Sequence, residues 1–315
     1  MTKKLPSVVF LGTPEFAVPS LETLLQGGVR VLLVITQPDR PRGRGRKLQV
    51  PPIKEVAARH DLPVFQPASI KVPDAQQRVR AAAADCLVVV AYGQILPAAL
   101  LRAAPLGAVN LHASLLPRYR GPAPIQWALL QGDRVTGVTT MLLDEGMDTG
   151  DLLLSREVKI EPEDNAGTLH DRLAGVGAAL LLETLEGLGA GTLQARAQDH
   201  ARATYAPMLT KEDARINWQE EAEKISRKIR ALDPRPGAFT YWNERRLKLF
   251  DSTPVKEMGR QAPGTVLAVD RRGLLVAAGK GAVRLKSLQL EGRRRMPIQE
   301  FISGYALREG TVLGD

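Results

Sequence analysis

The chain has 315 residues, of which 44% are hydrophobic and 24% charged, a composition typical of globular proteins that excludes global disorder. Forty-three Lys and Arg against 34 Asp and Glu leave a formal net charge of +9, which predicts an acidic partner. The single cysteine, Cys86, excludes an intramolecular disulfide and a thiolate zinc cluster, and no apolar run has the length of a membrane span. At about 150 residues per domain, we expect a cytoplasmic protein of two domains with neither a metal nor a membrane contact.

The first 190 residues alternate short strands with helices, a pattern typical of an open, mostly parallel, Rossmann-like α/β sheet with helices on both faces. The predicted strands lie at 8–11, 31–36, 64–65, 86–91, 107–112 and 137–143, with a return at 151–159. Helices are predicted at 14–26, 53–60 and 166–188. The turn at Gly12–Glu15 is not a G-x-G-x-x-G fingerprint and no P-loop occurs, so the usual dinucleotide and nucleoside-triphosphate sites lose support.

Residues 38–47 form a strongly basic segment in which Pro and Gly interrupt any periodicity. We expect a loop rather than a helix, kept extended by like charges until a polyanion binds. The alternative is an ordinary solvated surface loop. The cations of this segment are Arg40, Arg42, Arg44, Arg46 and Lys47.

The richest polar pattern starts at the predicted strand 107–112. Asn110 and His112 alternate there, so their side chains share one face near the carboxyl end, where open α/β sheets bind ligands. Strand 137–143 runs into an acidic, Gly-rich turn that contains Asp148, and we expect this turn at the same edge of the sheet. An amide that donates to an oxyanion, an imidazole and a carboxylate together suit acyl transfer. Ordinary, fully hydrogen-bonded polar residues remain the alternative.

Two other sites are weaker. Ser114 beside His112 lacks the G-x-S-x-G elbow of a hydrolase triad, and a metal site lacks ligands at the usual spacing. The remaining histidines are interpreted as surface or helix residues: His60, His170 and His200.

Residues 191–208 are predicted to be a linker, and 209–315 a second domain. An amphipathic helix at 220–232 precedes short strands at 238–242, 246–251, 264–269, 273–278 and 281–290, which favours a small, OB-like β-barrel. From Pro207 onward there are 21 basic and 14 acidic residues, a difference of +7, so this domain carries most of the excess charge. A basic barrel of this size is a common nucleic-acid-binding module, although many unrelated barrels share the pattern.

Three linked motifs resemble the formyltetrahydrofolate-dependent formyltransferase family. They are Asn110-x-His112, Ser114-Leu-Leu-Pro-x-Tyr-Arg-Gly121 followed by Pro124-Ile-Gln-Trp127, and Asp144-x-Gly-x-Asp148-Thr-Gly150. Similarity to a tRNA-dependent branch of this family extends over nearly the whole chain, at 12–16, 37–47, 91–97 and 214–218. Residues 121–124 read Gly-Pro-Ala-Pro where Gly-Ala-Ala-Pro is expected, a departure that touches no catalytic position.

The resemblance implies transfer of the formyl group of 10-formyltetrahydrofolate to the α-amino group of methionine on initiator tRNA, for translation initiation. By motif, Asn110 and His112 stabilise the oxyanion of the tetrahedral intermediate, and Asp148 pairs with them and manages the amine proton. The implied folate site consists of Ser114, Leu115, Leu116 and Pro117, with Tyr92, Gly93, Gln94, Ile95, Leu96 and Pro97 nearby. The basic segment 38–47 inserts against the tRNA acceptor stem, and the barrel adds non-specific phosphate contacts. The protein is expected to be a monomer.

Three alternatives remain open. A related formyltransferase for a small amine, such as glycinamide ribonucleotide or an amino sugar nucleotide, needs the three motifs but neither basic region. A formyltetrahydrofolate hydrolase releases formate without an acceptor. A non-catalytic nucleic-acid-binding protein has no use for an intact Asn110, His112 and Asp148.

Overall fold

The structure is a computed structural model that describes residues 5–42, 47–256 and 261–314. The chain divides into two compact units. The first contains most of the chain up to Ala206, and the second contains Ile125–Arg134, Ile160–Leu169 and the chain from Pro207 onward. The chain therefore passes between the units several times rather than once.

Among the described residues, nine strands precede the long helix that ends at Gly189. They are β1 (Val8–Gly12), β2 (Val31–Ile35), β3 (Arg40–Arg42), β4 (Lys47–Gln49), β5 (Val64–Phe65), β6 (Cys86–Val90), β7 (Ala108–His112), β8 (Val135–Leu142) and β9 (Leu152–Lys159). The helices of the same region are α1 (Val18–Gln26), α2 (Pro52–Arg59), α3 (Pro73–Ala81), α4 (Ala98–Leu101), α5 (Pro124–Gln131) and α6 (Ala166–Gly189). The predicted strands and the three predicted helices of this region are present, within a few residues at each end.

The first unit is built on a seven-stranded sheet with the strand order β5-β2-β1-β6-β7-β8-β9. Neighbours are parallel from β5 to β7, whereas β8 is antiparallel to both β7 and β9. The predicted mostly parallel, Rossmann-like sheet is confirmed. Strand order reverses between β1 and β6, and the carboxyl ends of strands at such a point form the usual ligand crevice.

The antiparallel direction of β8 makes one sequence-based expectation wrong. Leu142 at the end of β8 pairs with Val109 near the start of β7, so the turn after β8 does not begin at the edge where β7 ends. The chain after Leu142 instead folds back along the sheet until Asp148 reaches His112. The expected meeting of these two side chains occurs, but for a different geometric reason.

The second unit contains a separate antiparallel sheet, which confirms the predicted C-terminal β domain. Its elements are α7 (Ala222–Leu232), β10 (Phe239–Trp242), β11 (Arg245–Val255), β12 (Val266–Asp270), β13 (Gly273–Ala277), β14 (Ala282–Leu290), β15 (Met296–Pro297) and α8 (Ile298–Gly304). The strand order is β10-β11-β14-β13-β12, and β15 pairs with β14. The predicted apolar face of α7 is buried: Ile225, Ile229 and Leu232 are at most 1% exposed.

Candidate active site

Asn110 and His112 occupy alternate positions near the carboxyl end of β7 and are 9% and 7% exposed. The side-chain amide of Asn110 has no hydrogen-bond partner in the part of the chain that the structure describes. Buried polar groups are normally paired, and an unpaired amide at a strand end is therefore available to a ligand. Asn110 supplies a free hydrogen-bond donor at the crevice.

Both ring nitrogens of His112 face an oxygen atom. Nε2 lies 2.9 Å from the carbonyl oxygen of Tyr119, and Nδ1 lies 3.5 Å from Oδ2 of Asp148. A carbonyl oxygen can only accept, so Nε2 carries a hydrogen and donates it. The imidazole is thereby fixed in orientation, with Nδ1 directed at the carboxylate.

Asp148 has a backbone conformation that is unusual for a residue with a side chain. Its φ is +53°, in the left-handed region, and its Oδ2 accepts a hydrogen bond of 2.8 Å from the backbone N–H of Gly121. Gly121 has a φ of +115°, and a Cβ there would lie 3.0 Å from the carbonyl oxygen of Ala206. A glycine is therefore required at the position that donates to the Asp148 carboxylate.

The predicted folate-site residues follow the neighbouring parallel strands β6 and β7, at one edge of the sheet. Ser114 is fully buried and its hydroxyl donates to the carbonyl oxygen of Arg118 at 2.6 Å, so it is occupied structurally rather than poised as a nucleophile. Leu116 is also buried, and Leu115 and Pro117 are half-buried. The hydrolase triad that Ser114 suggests thus gains no support.

The loop after β6 combines buried and exposed positions. Tyr92 is 1% exposed, its hydroxyl has no partner among the described residues, and burial raises its pKa to about 12. Gly93 and Ile95 are exposed, Leu96 is buried, and the rest of the loop is half-buried at Gln94 and Pro97. The buried side chains of Tyr92 and Leu96 anchor the loop, and its exposed residues Gly93 and Ile95 are accessible from outside.

The predicted basic loop has more regular structure than expected at its base. Residues 40–42 and 47–49 pair as the antiparallel hairpin β3–β4, while Arg44 and Arg46 lie outside the described residues. The Asp39 carboxylate accepts hydrogen bonds from Gln66 at 2.7 Å and Lys54 at 2.8 Å, and these two partners lower its pKa. Arg40 is exposed and donates to Gln37.

Sequence reasoning missed a buried polar network behind Asp148. It joins Arg120, Gln198 and His200; Arg120 belongs to the second motif, but nothing local indicated its partner Gln198, which is 78 residues away in the chain. His200, interpreted from the sequence as a surface or helix residue, is exposed but also contacts the Arg120 guanidinium at 3.1 Å through Nδ1. The available signal was Arg120 itself, a charged residue within the second motif.

A basic cavity of about 630 Å³ lies in the second unit. Its cationic lining residues come from the turn between β12 and β13 and from strand β14: Arg271, Arg272, Arg284 and Lys286. Asp270 forms ion pairs with Arg272 and Arg284, so part of this charge is neutralised.

Within the described ranges, no three His, Cys, Asp or Glu side chains are grouped as metal ligands. No helix in that part of the chain is long and apolar enough to span a membrane.

Comparison with known proteins identifies the family of this chain. A family model described as formyl transferase matches residues 6–185, and a second, described as formyl transferase, C-terminal domain, matches 208–306. The chain therefore belongs to the formyl transferase family, as the three motifs predicted.

Two curated relatives of nearly the same length are methionyl-tRNA formyltransferases. Methionyl-tRNA formyltransferase of Geobacter sulfurreducens is 47% identical over 308 residues, covering 98% of this chain and 96% of the relative. That of Desulfotalea psychrophila is 49% identical over 306 residues, covering 97% and 95%. Among solved structures, the crystal structure of HypX from Aquifex aeolicus in complex with tetrahydrofolic acid superposes on this chain with a TM-score of 0.67 at 18% sequence identity. The match covers 95% of this chain and 47% of HypX, and it shows the likeness of the fold.

Proposed function

We propose that this protein transfers the formyl group of 10-formyltetrahydrofolate to the α-amino group of methionine on initiator tRNA. The observation that carries the proposal is the cluster of Asn110, His112 and Asp148 at the end of β7, in a chain about as long as relatives of that activity. Full-length similarity to these relatives does not favour the small-amine alternative.

The reaction makes one carbon–nitrogen bond and breaks another. The neutral amine attacks the formyl carbon, the carbonyl electrons move to oxygen, and collapse of the tetrahedral intermediate expels the folate nitrogen, which takes up a proton. The unpaired Asn110 amide donates to the oxyanion. Asp148 accepts the amine proton, and His112 beside it stabilises the charges that develop.

The folate binds, in this proposal, at the loops after β6 and β7, with contacts from residues 92–97 and 114–117. Support comes from their position on adjacent strand ends, next to Asn110. The tRNA binds the basic segment 38–47, through Arg40, Arg42, Arg44, Arg46 and Lys47, and the basic cavity of the second unit. No step requires a metal ion.

The decisive experiment presents labelled 10-formyltetrahydrofolate with five acceptors in turn: charged initiator tRNA, uncharged tRNA, free methionine, glycinamide ribonucleotide and an amino sugar nucleotide. We expect transfer to charged tRNA alone. Faster transfer to a small amine, or release of formate without any acceptor, would replace the proposal by one of the alternatives.

Removal of the Asn110 side-chain amide tests its proposed hydrogen bond to the oxyanion. We expect Asn110→Ala to reduce kcat by roughly 10²–10³, because one oxyanion donor is lost. Gln76→Ala is the matched control. Gln76 lies on α3, far in sequence from Asn110, and donates to the carbonyl oxygen of Lys71, which precedes this helix. We expect its loss to leave the rate unchanged. A normal rate for Asn110→Ala would contradict the assignment and revive a purely nucleic-acid-binding role.

The protein is also proposed to be a cytoplasmic monomer with sequence domains at 1–190 and 209–315 joined by a linker at 191–208, although the compact units differ from these bounds: the linker up to Ala206 packs in the first unit, and 125–134 and 160–169 pack in the second. The three proposed catalytic side chains come from one chain, and the family models match 6–185 and 208–306. Light scattering measures the mass, and limited proteolysis locates the first cut. A stable dimer, or a first cut outside 191–208, would contradict this organisation.

A further inference from the structure

A buried side chain binds the backbone on both sides of the Asp148 turn. Gln198 is 5% exposed, and its Nε2 donates to the carbonyl oxygen of Asp148 at 2.9 Å and to that of Gly150 at 2.7 Å. Its Oε1 accepts from Nε and a terminal nitrogen of Arg120, at 3.2 and 2.7 Å. Two acceptors on one side and a donor on the other permit only one orientation of this amide.

Arg120 is an unusual component of a protein interior. It is 2% exposed and forms no ion pair with any described carboxylate; besides Gln198, its guanidinium contacts Nδ1 of His200 at 3.1 Å. Burying a cation without a charged partner is costly. The hydrogen bonds to Gln198 and the contact with His200 offset part of this cost and fix the geometry of the guanidinium.

Asp148 is the residue that needs such support. Its φ of +53° is unfavourable for a residue with a Cβ, and a turn free to relax would leave this region. Relaxation would move the carboxylate away from both His112 and the Gly121 N–H. The two hydrogen bonds from Gln198 hold the carbonyl groups that such a relaxation has to turn.

We propose that Gln198 and Arg120 are positioning residues for formyl transfer. Gln198 holds the 148–150 turn so that the Asp148 carboxylate faces His112, and Arg120 fixes the orientation of the Gln198 amide. This inference rests on the proposed function, in which Asp148 accepts the amine proton. Neither residue touches the reacting atoms.

Gln198→Glu separates positioning from support of the buried arginine. The glutamate keeps the shape and still accepts from Arg120, but it has no hydrogen to donate to the two carbonyl groups. We expect kcat to fall on the order of 10²-fold, with the KM for both substrates nearly unchanged, because small displacements of a catalytic group have effects of this size. We expect Gln198→Ala to show the same fall in kcat and Gln76→Ala to keep the full rate. A normal kcat per folded molecule in Gln198→Glu would overturn the proposal.

A double-variant cycle, measured in single turnover with excess enzyme, tests whether Gln198 acts through Asp148. We expect Gln198→Glu combined with Asp148→Asn to be no slower than Asp148→Asn alone. Losses that multiply would overturn the positioning role. If Asp148→Asn keeps the full rate, the assigned role of Asp148 in the proposed function fails as well; if Asp148→Asn is slow and Gln198→Glu is not, only the positioning role fails.

Discussion

His112 illustrates how a single side chain can be restricted to one chemical use. Its Nε2 hydrogen is engaged by the carbonyl oxygen of Tyr119, at 2.9 Å. A proton exchanged during the reaction therefore passes on the side of Nδ1, where Asp148 lies. The imidazole and the carboxylate act as one unit, and replacing either is expected to remove most of the contribution of both.

Gly121→Ala tests the backbone donor to Asp148. A methyl group at φ +115° and 3.0 Å from the Ala206 carbonyl oxygen displaces the N–H that Asp148 accepts, so we expect a large loss of rate and about 1–3 kcal/mol of stability. The rate of formyl transfer and the thermal unfolding of the variant are measured. Gly28→Ala is the control: its φ is +80° with open space around the Cβ, so stability falls without loss of rate. An active Gly121→Ala enzyme would exclude this donor from the mechanism.

Cys86 gives a pH dependence that is independent of the reaction. Burial raises the pKa of its thiol from 9.0 to about 12. Because the folded state holds the neutral form, its stabilising contribution is complete below pH 9 and is lost as the pH rises through the range up to about 12. We expect urea unfolding midpoints to fall between pH 8 and 11, and less steeply in Cys86→Ala. If the unfolding midpoint fell equally steeply with pH in the unchanged protein and in Cys86→Ala, the raised pKa of Cys86 would be contradicted.

At the scale of helices and strands, local pattern was informative where burial is simple. The runs at β1 and β6 are apolar at every residue and buried at every residue. α3 was not predicted because only Ala75 and Val79 of its nine residues are buried. The direction of β8 and the hairpin β3–β4 depend on pairing with other segments, which periodicity does not encode.

The same distinction applies to the site. Asn110, His112 and Asp148 were found because they belong to motifs, and the alternation of β7 places two of them on one face. Gln198 was not found because its role depends on a contact with Arg120, 78 residues away. Long-range contacts of this kind become visible only when the chain is folded.

Helix α7 supplies a stability prediction for the second unit. Ile229 is fully buried in a cluster with Trp218 and Trp242, so Ile229→Ala is expected to cost about 2–5 kcal/mol, measured by urea unfolding with tryptophan fluorescence. Lys224→Ala on the exposed side of the same helix removes only an ion pair with Glu220 and is expected to cost under about 0.5 kcal/mol. Equal losses would show that this face does not anchor the sheet.

Over the whole molecule, charge is concentrated rather than spread. Up to Ala206 there are 22 basic and 20 acidic residues, and five of those cations lie within 38–47. The chain up to Ala206 is otherwise close to neutral, so its attraction to a polyanion depends on this one segment of the sequence. The residues beyond Ala206 carry an excess of +7, which gives this part of the chain a positive field of its own.

The salt dependence of tRNA affinity tests this distribution. Each phosphate contact contributes about 0.9 to the slope of log affinity against log salt, so Arg40→Ala or Arg42→Ala is expected to lower the slope by about one. Arg156→Ala, which removes an exposed arginine paired with Glu183, leaves it unchanged. Unchanged affinity and slope in the hairpin variants would remove the hairpin from the tRNA interface.

The repeated passage of the chain between its two units restricts how such a protein can recombine. Ile125–Arg134 and Ile160–Leu169 belong to the second unit although both precede Ala206, and Asn165 and Asp164 already hydrogen-bond to Asp233 and Arg230 of that unit. A gene fusion or crossover near residue 206 would therefore join these two segments to a foreign C-terminal module. Such chimaeras are expected to require compensating changes in both segments, so the units of relatives should be inherited together rather than exchanged as cassettes.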